Sequence, residues 1–380
     1  MKYVSDVKPN YGQLAQQIKL WGQQLGFSEV GITDIDLTKH EAQLQRWLDA
    51  GYHGSMDYMA AHGMKRARPS ELVPGTQRVI SVKMNYLPPD SGFAKNLKNN
   101  EKAYISRYAL GRDYHKLMRN RLKQLGKKIE QQVGDYGFRP FVDSAPVLER
   151  QLAEKAGLGW RGKHSLLINK EAGSWFFLGE LFVDLPLPID DENTFEGCGK
   201  CVACITLCPT GAIVEPYVVD ARKCISYLTI EHQGAIPEQY RTLMGNRIYG
   251  CDDCQLVCPW NRYGQITDEQ DFHPRTQLKN KDLLALFAWD ETTFLTNTEG
   301  SPIRRIGHER WLRNIAVGLG NADFSPAIIH ALEDKRKTVS DMVNEHIEWA
   351  LTQQHDKQRQ KLRKTARLIR IVEKGLSRDA

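Results

Sequence analysis

Eight cysteines lie in one segment of the 380-residue chain: Cys198, Cys201, Cys204, Cys208, Cys224, Cys251, Cys254 and Cys258. The first four have the spacing C-x2-C-x2-C-x3-C and are followed by Pro209. This run is typical of bacterial ferredoxin segments, in which short gaps let one loop present thiolates to several corners of a [4Fe–4S] cube. The last three repeat only the end of the run, because Ile248 occupies the position of its first cysteine. Cys224 is the remaining cysteine, and with it the chain has the eight thiolates that two [4Fe–4S] clusters need.

In two-cluster ferredoxins the cysteine that precedes the proline ligates the cluster of the other run, so the spacing predicts crossed ligand sets. The first cluster is assigned Cys198, Cys201, Cys204 and Cys258. The second cluster is assigned Cys208, Cys224, Cys251 and Cys254. Structural zinc sites are the alternative, although zinc requires neither three cysteines at this spacing nor the crossed Cys-Pro. A disulfide framework would instead spread its cysteines through a small secreted domain.

Asp143 is a candidate catalytic acid. It ends the apolar segment Phe141-Val142 and precedes a helix predicted from Ser144 through Lys155. A carboxylate in that place can simply cap the helix, which would lower its pKa. A proton donor needs the opposite, a pKa raised by burial or by an anionic neighbour. The residues alone leave both roles open.

A glycine-rich segment, Gly157-Leu-Gly-Trp-Arg-Gly162, matches G-x-G-x-x-G and with Lys163 also fits G-x4-G-K. Both nucleotide-binding motifs need a strand before the glycines and a helix after them. Here a helix is predicted before and a strand after, and His164 occupies the Ser/Thr position of the P-loop. The pattern therefore disfavours NAD and ATP. It predicts a tight loop close to a cofactor, with Lys163 as an available hydrogen-bond donor.

The elements that must position these residues predict an α+β fold class. Helices are expected over residues 11–27 and 116–133, and strands over 79–84, 164–169 and 175–183. Beyond Pro274 the pattern is helical, with short helices over 310–319, 326–333 and 339–351 that resemble HEAT-type pairs. We expect three domains: an α+β catalytic domain over 1–190, a bacterial-ferredoxin-like two-cluster domain over 191–265, and a helical HEAT-like domain over 266–380.

Basic residues are concentrated in two stretches of the chain, which has 52 Lys and Arg against 46 Asp and Glu. Lys95 to Lys128 contains only Glu101 and Asp113 as acids, and Lys357 to Arg370 contains none. A single such run is usually a solvated helix face. Two of them flanking a redox module indicate a polyanionic partner.

The composition and the N-terminus bear on the compartment. Hydrophobic residues make up 41% of the chain, enough for a packed core, and no run of apolar residues is long enough to span a membrane. Residues 1–10 lack both the apolar stretch and the twin arginine of an export signal. We expect a cytoplasmic protein without membrane association. The absence of a coiled-coil heptad favours a monomer.

Four features together resemble epoxyqueuosine reductase over essentially the full chain. They are the cysteine pattern, Ile105-Ser-Arg-Tyr-Ala109 with Gly111-Arg-Asp-Tyr-His115, Val142-Asp-Ser-Ala-Pro146, and Gly157-Leu-Gly-Trp-Arg-Gly-Lys163. Members of that family complete queuosine synthesis in tRNA by reducing an epoxide on the wobble base to an alkene, with cobalamin and two [4Fe–4S] clusters. The resemblance implies an oxidoreductase that binds the tRNA anticodon arm and takes electrons from an external donor. It also places the family's catalytic acid on Asp143, which favours catalysis over capping.

Cobalamin is implied by the resemblance alone. The D-x-H-x2-G cobalamin signature is absent, because Met118 follows Asp113-Tyr-His115 where glycine is required. No histidine of that motif is therefore expected on cobalt. The cofactor would bind in the N-terminal domain with Asp143 facing the cobalt side. The remaining predicted cobalamin contacts are Arg66, Ser106, Lys163 and His164, although Arg66 could as easily lie at the surface.

In the implied reaction the clusters supply electrons singly through cobalamin, and Asp143 protonates the departing epoxide oxygen. Two alternatives remain. A reductive dehalogenase uses the same cofactors on small molecules, usually after twin-arginine export, and has no need of the basic stretches. A ferredoxin-type electron carrier would leave the α+β domain unexplained and would bind neither cobalamin nor tRNA.

Overall fold

The computed structural model describes residues 10–89, 92–192 and 195–375, without the side chains of residues 368 and 371–375. The segment in which no export signal is expected falls outside the described residues at positions 1–9. Within the described ranges, no helix is both long enough and apolar enough to cross a bilayer.

The described chain contains both helices and strands, and the predicted α+β class is confirmed. In chain order the helices are α1 (Tyr11–Gln24), α2 (Thr38–Asp49), α3 (Pro69–Leu72), α4 (Phe93–Lys98), α5 (Tyr114–Val133), α6 (Glu149–Lys155), α7 (Ala203–Thr206), α8 (Ile225–Ile230), α9 (Glu238–Met244), α10 (Asp253–Leu256), α11 (Leu283–Phe287), α12 (Glu291–Asn297), α13 (Gly307–Asn321), α14 (Pro326–Lys335) and α15 (Asp341–Gly375). The strands are β1 (Glu29–Thr33), β2 (Arg78–Asn85), β3 (Tyr104–Ile105), β4 (Phe138–Phe141), β5 (Trp160–Arg161), β6 (Leu167–Ile168), β7 (Phe176–Val183), β8 (Ile213–Glu215), β9 (Val218–Val219) and β10 (Arg247–Tyr249).

The chain divides into two compact units. The first unit comprises the described residues of Met1–Ser91, Arg107–Cys224 and Asp252–Pro274. The second unit comprises those of Gly92–Ser106, Ile225–Cys251 and Arg275–Ala380. The cysteine segment contributes residues to both units. The division into functional domains at 1–190, 191–265 and 266–380 stays a prediction.

A four-stranded antiparallel sheet with the order β1-β2-β7-β4 forms the centre of the first unit. Strands β2 and β7 pair along their whole length, and β4 forms an edge with Phe141 opposite Glu180. The strands predicted over 79–84 and 175–183 are thus confirmed as β2 and β7. The strand predicted over 164–169 is shorter, since only Leu167–Ile168 pairs, in a hairpin with β5.

The two faces of strand β7 carry different helices. Gly179 lies against α5, where an added Cβ would come within 3.1 Å of the Leu122 side chain. Glu180 points to the opposite face, because successive side chains of a strand alternate. That face packs against α6 through an apolar cluster that includes Phe141, Leu152 and Phe182. A carboxyl group therefore lies buried within an otherwise apolar layer.

Helix α13 is the centre of the second unit, and its residues from Trp311 to Gly320 are all buried. The buried Arg313 guanidinium donates to the carbonyls of Leu228 and His232 at 2.7 and 2.8 Å. The Asn314 amide donates to the carbonyls of Thr229 and Ile248 at 2.8 and 2.9 Å. This helix thereby holds two backbone segments, the one that follows Cys224 in the chain and the one that precedes Cys251.

The helices predicted over 310–319 and 326–333 are confirmed as α13 and α14. The prediction of a short last helix over 339–351 is wrong, because α15 continues to Gly375 and includes the basic stretch. No proline or glycine interrupts the chain from Asp341 to Lys374, so nothing in the sequence ends the helix sooner. The HEAT-type pairing of these helices stays a prediction.

Candidate active site and cluster-binding cysteines

Asp143 lies just beyond the end of β4, in a left-handed backbone conformation with φ 54°. Such a conformation is uncommon outside glycine, and at functional sites the surrounding structure often maintains it. The Asp143 side chain is 58% exposed. The capping alternative is wrong, because α6 begins only at Glu149 and its N-cap residue is Leu148. The carboxyl group is therefore available to a bound substrate.

His115 connects Asp143 to a second carboxyl group. Its Nε2 atom lies 3.0 Å from Asp143 Oδ2, and its Nδ1 atom lies 2.7 Å from Asp113 Oδ1. Asp113 is also the N-cap of α5, where its side chain accepts the His115 backbone N–H. A neutral imidazole has one donor and one acceptor nitrogen, so both contacts are satisfied when one of the two carboxyls is protonated. The three side chains can therefore hold and transfer a proton.

Tyr114 closes the apolar side of this group. Its ring stacks on Phe177 at 3.7 Å between centroids and on His115 at 4.2 Å. The Tyr114 hydroxyl hydrogen bonds to Asp143, and burial followed by the Asp143 charge raises the pKa of this phenol well above its usual value. The phenol is thus neutral at physiological pH and acts as a hydrogen-bond partner of the carboxyl group.

Two carboxyl groups, the half-buried Glu149 and the fully buried Glu180, lie beneath the Asp143 loop. Glu149 Oε1 accepts the Asp143 backbone N–H at 2.6 Å. Burial, and then the Asp143 charge, raises the pKa of Glu149 to about 7. Burial, and then the Glu149 charge, raises the pKa of Glu180 well above its usual range. The pair therefore retains a proton near neutral pH, and Glu149 fixes the backbone that carries Asp143.

Arg66 is buried, so its alternative placement at the surface is wrong. Its guanidinium donates to the carbonyls of Tyr58 and Met59 at 2.8 and 3.1 Å, and to that of Ala145 at 3.4 Å. The last contact braces the loop that follows Asp143. Ser106 is buried in the second unit, where its N–H donates to the Tyr249 carbonyl at 2.8 Å. The cobalamin contacts assigned to both residues stay predictions.

The glycine-rich segment leads from α6 into the β5–β6 hairpin, as the sequence predicted. In that hairpin, burial lowers the pKa of His164 to about 4, so this ring is neutral. Its Nδ1 atom accepts the Leu166 N–H at 3.1 Å, while Nε2 is buried without a partner in the described part of the chain. Lys163 Nζ donates to the carbonyls of Gly199 and Cys201 at 2.7 and 2.9 Å. Lys163 is thus held by the cysteine loop.

Within the described residues none of the eight cysteines forms a disulfide. Burial raises the pKa of the Cys204 thiol to about 11, and the neighbours that raise it further are Cys198, Cys258 and Cys201. Burial also raises the pKa of Cys254, and the cysteines that raise it further begin with Cys224 and Cys208. Cys204 and the three cysteines around it are the four members of the first predicted ligand set. Cys224, whose role came only from counting, lies near Cys254.

Sequence reasoning missed the contacts of His115 with Asp143 and Asp113, and it missed Glu149 and Glu180 entirely. The Asp113-Tyr-His115 spacing was visible, but it was tested only against a cobalt-binding motif. Nothing in the sequence connects residues 113–115 with residue 143. They meet only because α5 packs against strands β4 and β7 of the sheet. The glutamate inside the apolar strand Phe176–Val183 was the signal for the buried Glu180.

Comparison with known proteins assigns the family. Residues 66–144 match the family model "Epoxyqueuosine reductase QueG, DUF1730", and residues 197–261 match "4Fe-4S double cluster binding domain". The chain is 66% identical over 373 residues to epoxyqueuosine reductase of Salmonella typhimurium, with 97% of each chain covered. It is 26% identical to the structure of epoxyqueuosine reductase from Streptococcus thermophilus, with a TM-score of 0.79 and 91% of each chain covered. A further epoxyqueuosine reductase structure, with an epoxyqueuosine-modified tRNA-Tyr stem loop, has a TM-score of 0.78 at 24% identity and covers 91% of this chain and 100% of that one. The chain belongs to the epoxyqueuosine reductase family.

Proposed function

We propose that this protein reduces epoxyqueuosine to queuosine at the wobble position of tRNA. The observation that carries the proposal is the exposed Asp143 carboxyl, joined to His115 and Asp113, in the same compact unit as most of the cluster-binding cysteines. Family membership at 66% identity supports the substrate. Converting an epoxide to an alkene consumes two electrons and two protons and releases water. The protein must therefore supply both electrons and protons at one place.

Asp143 is the proton donor in this proposal. Protonated Asp143 gives its proton to the oxygen as the carbon–oxygen bond breaks, which avoids an unstable alkoxide. His115 then gives a proton to Asp143 from Nε2 and takes one up from Asp113 at Nδ1, because its two ring nitrogens face the two carboxyls. The second proton reaches the same oxygen by the same route, and the oxygen leaves as water.

The electrons come from two [4Fe–4S] clusters. We assign the first cluster to Cys198, Cys201, Cys204 and Cys258. We assign the second cluster to Cys208, Cys224, Cys251 and Cys254. The neighbours that raise the pKa of Cys204 are the other three members of the first set, and Cys224 and Cys208 of the second set are among those that raise the pKa of Cys254. If Cys224 is the fourth ligand of the second cluster, Cys224→Ala should lower bound iron from about eight to about four atoms per chain.

The first unit offers polar groups that suit cobalamin. Among the described residues, four side-chain atoms on α6 and the following hairpin are buried without a partner: Gln151 Oε1, Trp160 Nε1, Arg161 Nε and His164 Nε2. Such groups fit an amide-rich cofactor, because buried polar atoms need partners. Cobalamin, when bound, supplies a metal centre that accepts electrons singly and reacts with carbon. His164 is then the best-supported cobalamin contact. The contacts of Arg66 and Ser106 with cobalamin stay proposals, whereas Lys163 donates to the cysteine loop.

Two basic surfaces suit a tRNA partner. On α5, the side chains of Lys116, Arg119, Lys123 and Lys127 are exposed at helical spacing, and this basic α5 stripe begins beside His115. On α15, Lys361, Arg363, Lys364 and Arg367 are exposed. Positive side chains on one helix face bind phosphates and give a salt-dependent affinity. The stripe would bring an anticodon arm toward the reacting carboxyl.

The deciding experiment incubates anaerobically reconstituted protein, cobalamin and a strong reductant with tRNA that carries epoxyqueuosine. Mass spectrometry of the digested nucleosides should show loss of one oxygen, dependent on added cobalamin. No conversion by protein that holds both iron and cobalamin would overturn the proposal and favour a small-molecule reductase. The external electron donor, the cytoplasmic location and the monomeric state stay predictions.

A further inference from the structure

Lys163 makes an unusual contact for a residue outside the cysteine segment. Its Nζ atom donates to the carbonyl oxygens of Gly199 and Cys201 at 2.7 and 2.9 Å. These carbonyls belong to the turn between Cys198 and Cys204, which carries three thiolates of the proposed first cluster. One ammonium group therefore joins the β5–β6 hairpin to the loop that must surround that cluster.

The hairpin holds the lysine firmly in this position. Its turn is closed by the Gly162 N–H to the Leu166 carbonyl and by the Ser165 N–H to the Gly162 carbonyl, both at 2.8 Å. The Tyr217 N–H donates to the Lys163 carbonyl at 2.9 Å. Arg150 donates to the hydroxyl of Ser165 at 2.9 Å and also to its carbonyl. The Lys163 backbone is thus fixed on several sides, so its charge is positioned before any cluster binds.

The contact also acts on the peptide groups of the cysteine loop. The two carbonyls that accept from Lys163 belong to the peptides whose N–H groups are those of Lys200 and Val202. Within the described residues neither N–H donates a hydrogen bond to the protein. A charge-assisted bond to a carbonyl polarises its peptide and strengthens the N–H on the other side. Such N–H groups are suited to donate to cluster sulfurs.

We propose that Lys163 is a positioning residue for the first cluster, which orders the Gly199–Cys201 turn and raises the reduction potential of that cluster. Hydrogen bonds to the sulfurs and nearby positive charge both favour the reduced, more negative cluster. The inference rests on the ligand set assigned above under the proposed function. It gives Lys163 a place in electron delivery instead of the predicted place beside cobalamin.

The test is an EPR-monitored redox titration of the reconstituted full-length protein, without tRNA. We expect Lys163→Met and Lys163→Gln to lower the midpoint potential of one of the two clusters and to leave that of the other unchanged. The expected change in the oxidised-to-reduced ratio is at least tenfold, about 59 mV for a one-electron couple. Lys163→Arg keeps the charge and should remain close to the wild type.

Lys200→Met is the matched control, because it removes an equal charge from an exposed side chain beside Cys201. Solvent screens that charge, so its shift should be much smaller. Unchanged midpoints in both neutral variants at full iron content, or an equal shift in Lys200→Met, would overturn the inference. If the Lys163→Met protein loses iron, the midpoint potentials of Lys163→Gln decide instead, since glutamine keeps an N–H hydrogen-bond donor.

Failure of the proposed function has a different signature. Protein with normal cluster midpoints that leaves epoxyqueuosine-tRNA unconverted would refute the tRNA reaction and leave the role of Lys163 standing. Wild-type protein that binds no iron after reconstitution would remove the ligand set and with it this inference.

Discussion

The two reactive regions of this protein are assembled in opposite ways. Three thiolates of the proposed first cluster, Cys198, Cys201 and Cys204, come from one short loop whose spacing already contains the geometry. The proton-bearing group combines Asp143 from the end of a strand with His115 from the start of a distant helix. The cysteine loop depends on local spacing, whereas the proton-bearing group depends on the packing of the whole sheet.

This difference predicts separable failures. Changes to Asp143, His115 or Asp113 should slow the reaction and leave the clusters intact, because no thiolate depends on those side chains. Changes at the cysteines should remove iron and stop electron supply, while the hydrogen bonds around Asp143 persist. Measuring iron content and turnover on the same samples therefore tests whether the two regions are as independent as their construction indicates.

The largest effect is expected from Asp143→Asn. The amide keeps the shape of the side chain but cannot deliver a proton, so turnover should fall by about 10²–10⁴-fold, the range for a lost general acid. Iron content and cobalamin binding should equal those of the wild type. Single-turnover assays with nucleoside mass spectrometry measure the first quantity, and iron analysis and visible spectra measure the others. Turnover near the wild-type rate would exclude Asp143 from the chemistry.

A smaller loss is expected from His115→Gln, about 10–100-fold in turnover, because Asp143 keeps its own proton but loses its route of resupply. The loss should appear in kcat more than in KM, and the pH profile should change because the ring that connects the two carboxyl groups is removed. Asp113→Asn is the matched variant, since it keeps the side-chain shape but alters the hydrogen bond that orients the ring. An unchanged pH profile in both variants would show that the relay does not operate.

The same contrast explains what could be predicted from the sequence. The cluster-binding segment, the strands β2 and β7 and the helix α5 were predicted because ligand spacing and periodicity are local properties. The role of Asp143 was decided only by resemblance, and its capping alternative failed because the chain after it makes a loop, and α6 begins only at Glu149. Glu149, Glu180 and the Lys163 contact were not predicted, because each depends on which segments the folded sheet brings together.

The basic α5 stripe and the basic residues of α15 can be compared directly. Neutralising Lys116, Lys123 and Lys127 to Gln should weaken binding of the tRNA anticodon arm by about tenfold or more. It should also reduce the slope of log affinity against log salt by about 0.7–0.9 for each phosphate that the stripe no longer neutralises. The matched variant neutralises Lys361, Arg363 and Lys364 on α15. Anisotropy titrations over a range of KCl concentrations measure both slopes.

Lys357 is excluded from that matched variant because its ammonium is not a free surface charge. It donates to the carbonyls of Gly320 and Ala322 at 2.6 and 2.5 Å, at the end of α13. Its removal would weaken the fold of the second unit as well as any interaction with RNA. An affinity and a salt slope that stay unchanged in both neutralised variants would show that these faces are only solvated surfaces.

The smallest expected effect concerns Glu149 and pH. Its pKa of about 7 in the folded protein lies above its ordinary value of 4.5, because burial and Asp143 disfavour the charged form. A group with a raised folded-state pKa stabilises the fold fully below its unfolded pKa, and this contribution is lost as the pH rises through the folded pKa. Between about pH 4.5 and 7 the wild type should therefore lose stability that Glu149→Gln, neutral throughout, does not lose. Thermal unfolding at several pH values measures the difference.

Glu154→Gln provides the control for this effect, since Glu154 lies on the same helix and also accepts a backbone N–H, from Arg161 at 2.9 Å. The stability of the Glu154→Gln variant should depend on pH as that of the wild type does, because this variant retains both Glu149 and Glu180. A Glu149→Gln profile as steep as that of the wild type would mean that the proton resides elsewhere. If the stability of Glu149→Gln does not change with pH and its pH optimum for turnover also shifts, the Glu149–Glu180 pair influences the protonation of Asp143. Glu149 and Glu180 would then belong to the same reactive region as Asp143, and only the cluster-binding cysteines would be independent of it.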